Sequence, residues 1–106
     1  MNENDYYSEE NVEAAKLGVN RIRREILTAM KNGLLIGGEW PENFKNSHYL
    51  QYAPSQGKEI TVKINGDEYL RVTRIEYGRP CGVLILKHED GRTDFYPEEI
   101  NNIEIS

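Results

Sequence analysis

From residue 59 onward the apolar positions alternate with polar ones. Ile60, Val62 and Ile64 fall at every second place, which puts them together on one face of a half-buried strand. The run stops at Asn65-Gly66, the pair best able to hold positive φ at both central positions of a type I′ turn, so the chain is predicted to fold straight back as a hairpin. In the returning run, 68–77, Leu70 and Val72 share one parity while Ile75 and Tyr77 have the other. A bulge or bend near Thr73-Arg74 reconciles the two, and one long, bent strand is expected.

Gly78-Arg79-Pro80 supplies the next turn, and Val83-Leu84-Ile85-Leu86 is continuously apolar, as suits a strand covered on both faces. Asp90-Gly91 marks another tight hairpin, leading into a fourth strand at 93–96. Pro97-Glu98-Glu99-Ile100 predicts one helical turn, with proline at its start and acidic side chains at its positive end; Ile103 and Ile105 then anchor a fifth strand. This order resembles the small barrels of the SH3-like and Sm-like superfold. A preceding helix makes it more similar to the Sm-like branch. The ending Thr93-Asp94-Phe95-Tyr96-Pro97-Glu98-Glu99-Ile100-Asn101-Asn102-Ile103-Glu104-Ile105 is similar in hydrophobic pattern to the C-terminal end of the YolD-like family. The resemblance implies a scaffold that hosts many unrelated functions and carries over no catalytic residue. The expected class is α+β: a long N-terminal α-helix followed by a five-stranded SH3-like/Sm-like small β-barrel. One domain spans 1–106, divided into a flexible tail (1–8), a helix (9–32), an aromatic-rich connector (33–58) and the barrel (59–105).

The helix has its own signals. Ser8 is a good N-cap, Glu9 and Glu10 favour the first turn, and Lys31-Asn32-Gly33 supplies the stop. Val12, Ala15, Val19, Ile22, Ile26 and Ala29 alternate at spacings of three and four, the a/d stripe of a coiled coil. Either the stripe lies across the open end of the barrel as a lid, or it pairs with the same stripe of a second chain in a homodimer. Leu17, Leu27 and Met30 lie off the stripe, leaving room for one face on the barrel and another on a partner. In the connector, Gly37-Gly38, Pro41 and Pro54 interrupt any long regular element. Its aromatic residues Trp40, Phe44, Tyr49 and Tyr52 either pack back onto helix and barrel or form an exposed patch that binds a protein partner.

A chain of 106 residues closes one modest core. No apolar run approaches the roughly 18 residues of a bilayer span and no signal-peptide pattern opens the chain, so cytoplasmic residence is the expectation. The lone Cys81 is expected to be a small buried side chain. His48 and His88 lie far apart and belong to no zinc-ligand spacing; the turn glycines form no phosphate-cradling motif, and Ser47-His48 has no identifiable third group. Glu98 and Glu99 suit a cap. Neither metal nor cofactor nor enzymatic activity is expected.

The formal charge is −5, a poor balance for neutralising phosphates. Locally, Arg21, Arg23 and Arg24 make a basic patch on the helix. Arg71, Arg74 and Arg79, with Tyr69 and Tyr77, would make a basic, aromatic face of the kind that holds single strands; the competing expectation pairs these arginines with Glu68, Glu76 and Asp94. Together these features favour a small non-enzymatic interaction module with a protein partner, a regulatory or inhibitory adaptor of phage or mobile-element type. The alternatives are an Sm-like nucleic-acid binder and a small-molecule sequestering protein walled by the connector aromatics.

Overall fold

The computed structural model of the chain describes residues 9–39, 49–78 and 82–106. Helix α1 (Glu9–Lys31) ends in a Schellman motif: the Gly33 amide donates to the Met30 carbonyl at 3.0 Å and the Leu34 amide to the Ala29 carbonyl at 2.8 Å. Gly33 makes this possible by taking φ +77°, a conformation costly to any residue with a Cβ.

The strands that follow are β1 (Leu35–Glu39), β2 (Tyr49–Pro54), β3 (Val62–Ile64), β4 (Asp67–Tyr69), β5 (Arg74–Gly78), β6 (Leu84–His88), β7 (Gly91–Phe95) and β8 (Ile103–Ile105), with a single 3-10 turn η1 (Pro97–Glu99) before the last. All pairings are antiparallel. One sheet has the order β1-β2-β5-β6-β7 and the other β4-β3-β8, so the class is α+β.

The connector expected to be irregular supplies two of these strands. β1 and β2 pair with each other, and β2 pairs with β5 through Leu50–Tyr77 and Tyr52–Ile75, so the segment extends the larger sheet. Gly37 and Gly38 do not end β1; they sit at a register shift within it, where the ladder absorbs their positive φ. Pro54 ends β2, beside Leu35, where its missing N–H costs least.

Asn65-Gly66 makes the expected tight turn, with φ +52° and +92°. The Asn65 side chain also ties the turn to the C-terminal segment. Its amide donates to the Glu99 carbonyl at 2.7 Å, and its oxygen accepts from the Asn101 and Asn102 amides at 2.8 and 3.1 Å. The long bent strand is broken into β4 and β5, which belong to different sheets. Arg71 takes φ +50° at the break, which interrupts side-chain alternation: Val72 is buried while Leu70, expected on the same face, is 45% exposed. Here the chain passes between sheets, the Val72 amide bonding to Ile60 and the Thr73 amide to Lys87.

The apolar run at β6 is covered on both faces, as expected. Leu84 and Leu86 enter the core with Ile75 and Tyr77, while Ile85, also buried, points to the other side between Glu76 and Asp94. Helix α1 closes the core from outside. Ile22, Ile26 and Ala29 are at most 2% exposed, so half of the stripe considered for chain pairing is spent inside the chain's own core and is not available to a second copy. Of the rest, Val12 is 38% exposed and Ala15 and Val19 are half-buried. Close packing and two hydrogen bonds fix the helix: Gly18 lies against the Pro97 backbone, Arg21 donates to the Ile100 carbonyl at 3.1 Å, and Glu25 accepts the Ile105 amide at 2.8 Å.

Candidate interaction surfaces

A helix repeating about every 3.6 residues puts Leu17, Asn20, Arg24, Leu27 and Lys31 on the side opposite Ile22, Ile26 and Ala29, with Lys16 and Arg23 on the flank. All seven are exposed, Leu17 at 51% and Leu27 at 63%. Along the axis the two leucines stand roughly 15 Å apart. Lys16 pairs loosely with Glu13 at 3.9 Å; among the described residues Arg23, Arg24 and Lys31 have no ion-pair partner. The outward face is therefore basic with two apolar projections, on a chain whose formal charge is −5. Arg21, expected to share the patch, is turned inward by its bond to Ile100.

The outer face of the larger sheet is occupied by its own charges. Glu76, with its side chain only 14% exposed, faces Arg74 at 3.8 Å, Lys87 at 3.6 Å and the Gln51 amide at 3.4 Å. Arg92 and Asp94 on β7 make a two-point ion pair at 2.8 and 2.9 Å. The hydrogen bond from Arg92 holds the Asp94 carboxyl below the usual range, and the same pairing raises Arg92.

Where β4 approaches the β6–β7 hairpin, the Tyr69 ring meets His88 and Phe95 edge-on, with centroids 5.1 and 5.6 Å away. The Asp90 amide donates to His88 Nδ1 at 3.3 Å, which leaves Nε2 to carry the proton and donate to Thr93 Oγ1 at 2.8 Å. Burial, with a smaller contribution from Asp67, raises the Tyr69 phenol pKa.

Among the described residues, the side chains expected to make a basic, aromatic face for nucleic acid are not brought together on one surface. Tyr77 is 3% exposed in the core, where no base reaches it, and Tyr69 is committed to the aromatic corner. Arg71 pairs with Glu59 at 2.9 Å, not with Glu68, because its left-handed backbone turns it away from the β4 ladder; Arg74 takes Glu76 as expected, and Asp94 goes to Arg92. Arg79 lies outside the described residues, as do His48 and Cys81. The connector aromatics do not form one visible patch either. Trp40 and Phe44 lie outside the described residues, and Tyr49 and Tyr52, three apart on β2, point to opposite faces. Tyr52 packs against the core and the Tyr49 ring lies over Gly78.

Among the described residues there is no cluster of three potential metal ligands, and no helix is long and apolar enough to cross a membrane. Comparison with protein-family models, curated proteins and solved structures finds no match.

Proposed function

We propose that this chain is a small non-enzymatic interaction module, a regulatory adaptor whose partner is another protein and whose scaffold is an SH3-like/Sm-like β-barrel with a helix laid across it. The strand order supports the scaffold: β3, then the broken strand β4/β5, β6, β7, η1, and β8 returning to pair with β3. The observation that carries the function is the pair Leu17 and Leu27, held in water on a rigid helix amid unneutralised basic side chains. Apolar side chains on a basic rim are the anatomy of a protein-binding face, where a few anchors supply most of the affinity and the charges steer encounter.

A photo-crosslinking side chain at Leu27, introduced in the source cell, tests the reading. It yields discrete protein adducts that disappear when Leu17→Asp is added, while the same probe at the exposed Asn102 yields none. Adducts only to nucleic acid, or none, overturn it. Leu17→Asp leaves stability within about 0.5 kcal/mol because the half-exposed side chain packs against little, so the loss of adducts reports binding and not unfolding.

A further inference from the structure

A sheet edge is a row of unpaired backbone groups, and this fold disposes of most of its own. At β8 the Ile105 amide is taken by Glu25. At β4, only three residues long, the next carbonyl, of Leu70, is taken by the Glu89 amide at 3.1 Å. At β1 the ladder is distorted by the register shift at Gly37. The β7 edge is different: its five residues pair in unbroken register with β6 and, among the described residues, with no strand on the other side.

The Gly78 amide bonds to the Val83 carbonyl, which sets the alternation across β6. Gly91, Thr93 and Phe95 therefore turn their backbones to β6, and Arg92 and Asp94 turn theirs outward. The next outward amide, of Tyr96, is taken by Glu99 at 2.9 Å, so the open edge ends there.

The sequence of this edge, Gly91-Arg92-Thr93-Asp94-Phe95, is complementary to itself when reversed. We infer that β7 is a docking edge for a second copy of this chain, the two strands meeting antiparallel about a two-fold axis through Thr93. Arg92 then lies opposite Asp94 of the second copy and Asp94 opposite Arg92 of the second copy. Each of these pairs exchanges two backbone hydrogen bonds and aligns opposite charges on the outer face. On the inner face each Phe95 lies opposite the other copy's Gly91, which leaves the ring room. Parallel pairing would set like charges side by side. A head-to-tail arrangement through β8 meets the carboxylate of Glu25, so the contact closes as a dimer and does not propagate. The helix stripe takes no part. This surface is distinct from the outward face of α1, so it stands or falls independently of the protein-partner reading.

Sedimentation velocity over a wide concentration range tests it, with circular dichroism to check the fold of each variant. The wild-type chain shows a reversible monomer–dimer equilibrium. Arg92→Asp and Asp94→Arg each convert two attractive pairs to repulsive ones and weaken self-association by about tenfold or more. Mixing the two singly reversed chains restores a dimer, since each then meets its complement, and the double swap Arg92→Asp/Asp94→Arg dimerises alone. A wild-type chain that stays monomeric to millimolar concentration, reversals that leave the dimer intact, or a mixture that fails to associate overturns the inference.

Discussion

Replacing Gly18 by alanine sets two well-defined effects against each other. In an isolated helix the change is favourable by about 1 kcal/mol, because glycine loses the most backbone freedom on ordering. In this fold a Cβ on Gly18 would enter the van der Waals envelope of the Pro97 carbonyl and come within 3.0 Å of its Cα. The obstacle is backbone, held by the Glu99–Tyr96 and Ile100–Pro97 bonds of η1 and by the Asn65 side chain on Glu99, so it does not swing aside as a flexible side chain would. The helix must retreat by about 1 Å or more, and a gap of that size forfeits a quarter to a half of the dispersion well for each facing contact. Ile22 and Ile26, both essentially inaccessible, lie on the retreating face, and each is worth roughly 1.5–3 kcal/mol of burial. The Arg21–Ile100 and Glu25–Ile105 bonds stretch as well. The contact wins: a net loss of about 2 kcal/mol is expected, or a fall of roughly 8 °C in Tm for a chain of this size. Asn20→Ala, on the exposed face of the same helix, controls for propensity and raises Tm slightly. Calorimetry of the two variants decides. If Gly18→Ala also raises Tm, the helix does not rest on η1 as described.

Asn65→Ala removes three hydrogen bonds and places a Cβ residue without a helping side chain at φ +52°; it is expected to cost about 2–3 kcal/mol, whereas Asn65→Gly keeps the backbone easy and costs about 1 kcal/mol less, a difference measurable by urea denaturation. Because burial raises the Tyr69 phenol pKa, its stabilising contribution is complete below the ordinary tyrosine pKa of about 10 and is lost as pH rises through the folded-state value. Tyr69→Phe therefore flattens the alkaline end of a Tm–pH profile, and an unchanged alkaline slope refutes the assignment.

How much of this was legible depended on which residues had a face to declare. The turn at Asn65-Gly66, the twofold coverage of β6 and the extent of α1 rest on local chemistry that no tertiary contact overrode, whereas the turn expected at Asp90-Gly91 falls one residue earlier, at Glu89-Asp90, with Gly91 already paired to His88 in β7. β1 and β2 stayed hidden because they form the outer hairpin of the larger sheet. Every residue from Tyr49 to Pro54 is half-buried, so no alternation distinguishes in from out, and the two markers that did stand out, Gly37-Gly38 and Pro54, are a register shift and a strand end, which imitate a loop. The broken strand was readable as a change of parity, but its cause was not: Arg71 reaches φ +50° because the chain must leave the β3 ladder and join β6, a demand set by residues far along the sequence.

The surfaces divide along the same line. Leu17 and Leu27 were visible as leucines that the stripe did not need, since a helix period assigns faces without knowledge of the partner. Self-complementarity at β7 is equally present in the letters Gly-Arg-Thr-Asp-Phe, yet carries no meaning until the strand is known to be an edge. Edge status is a property of the whole sheet: it is fixed by β2 joining β5, which moves the other boundary out to β1, and by Glu25 on the helix closing β8. One acidic side chain 80 residues from the strand it protects thus decides which edge can receive another chain. Glu25→Ala should for that reason do more than loosen the helix. It frees the Ile105 amide and permits the head-to-tail contact that the carboxylate excludes, so the variant is expected to form species larger than a dimer in sedimentation, while Glu25→Gln, whose side-chain oxygen still accepts the amide, is not. Larger species from both variants, or from neither, would show that Glu25 does not govern the choice of edge.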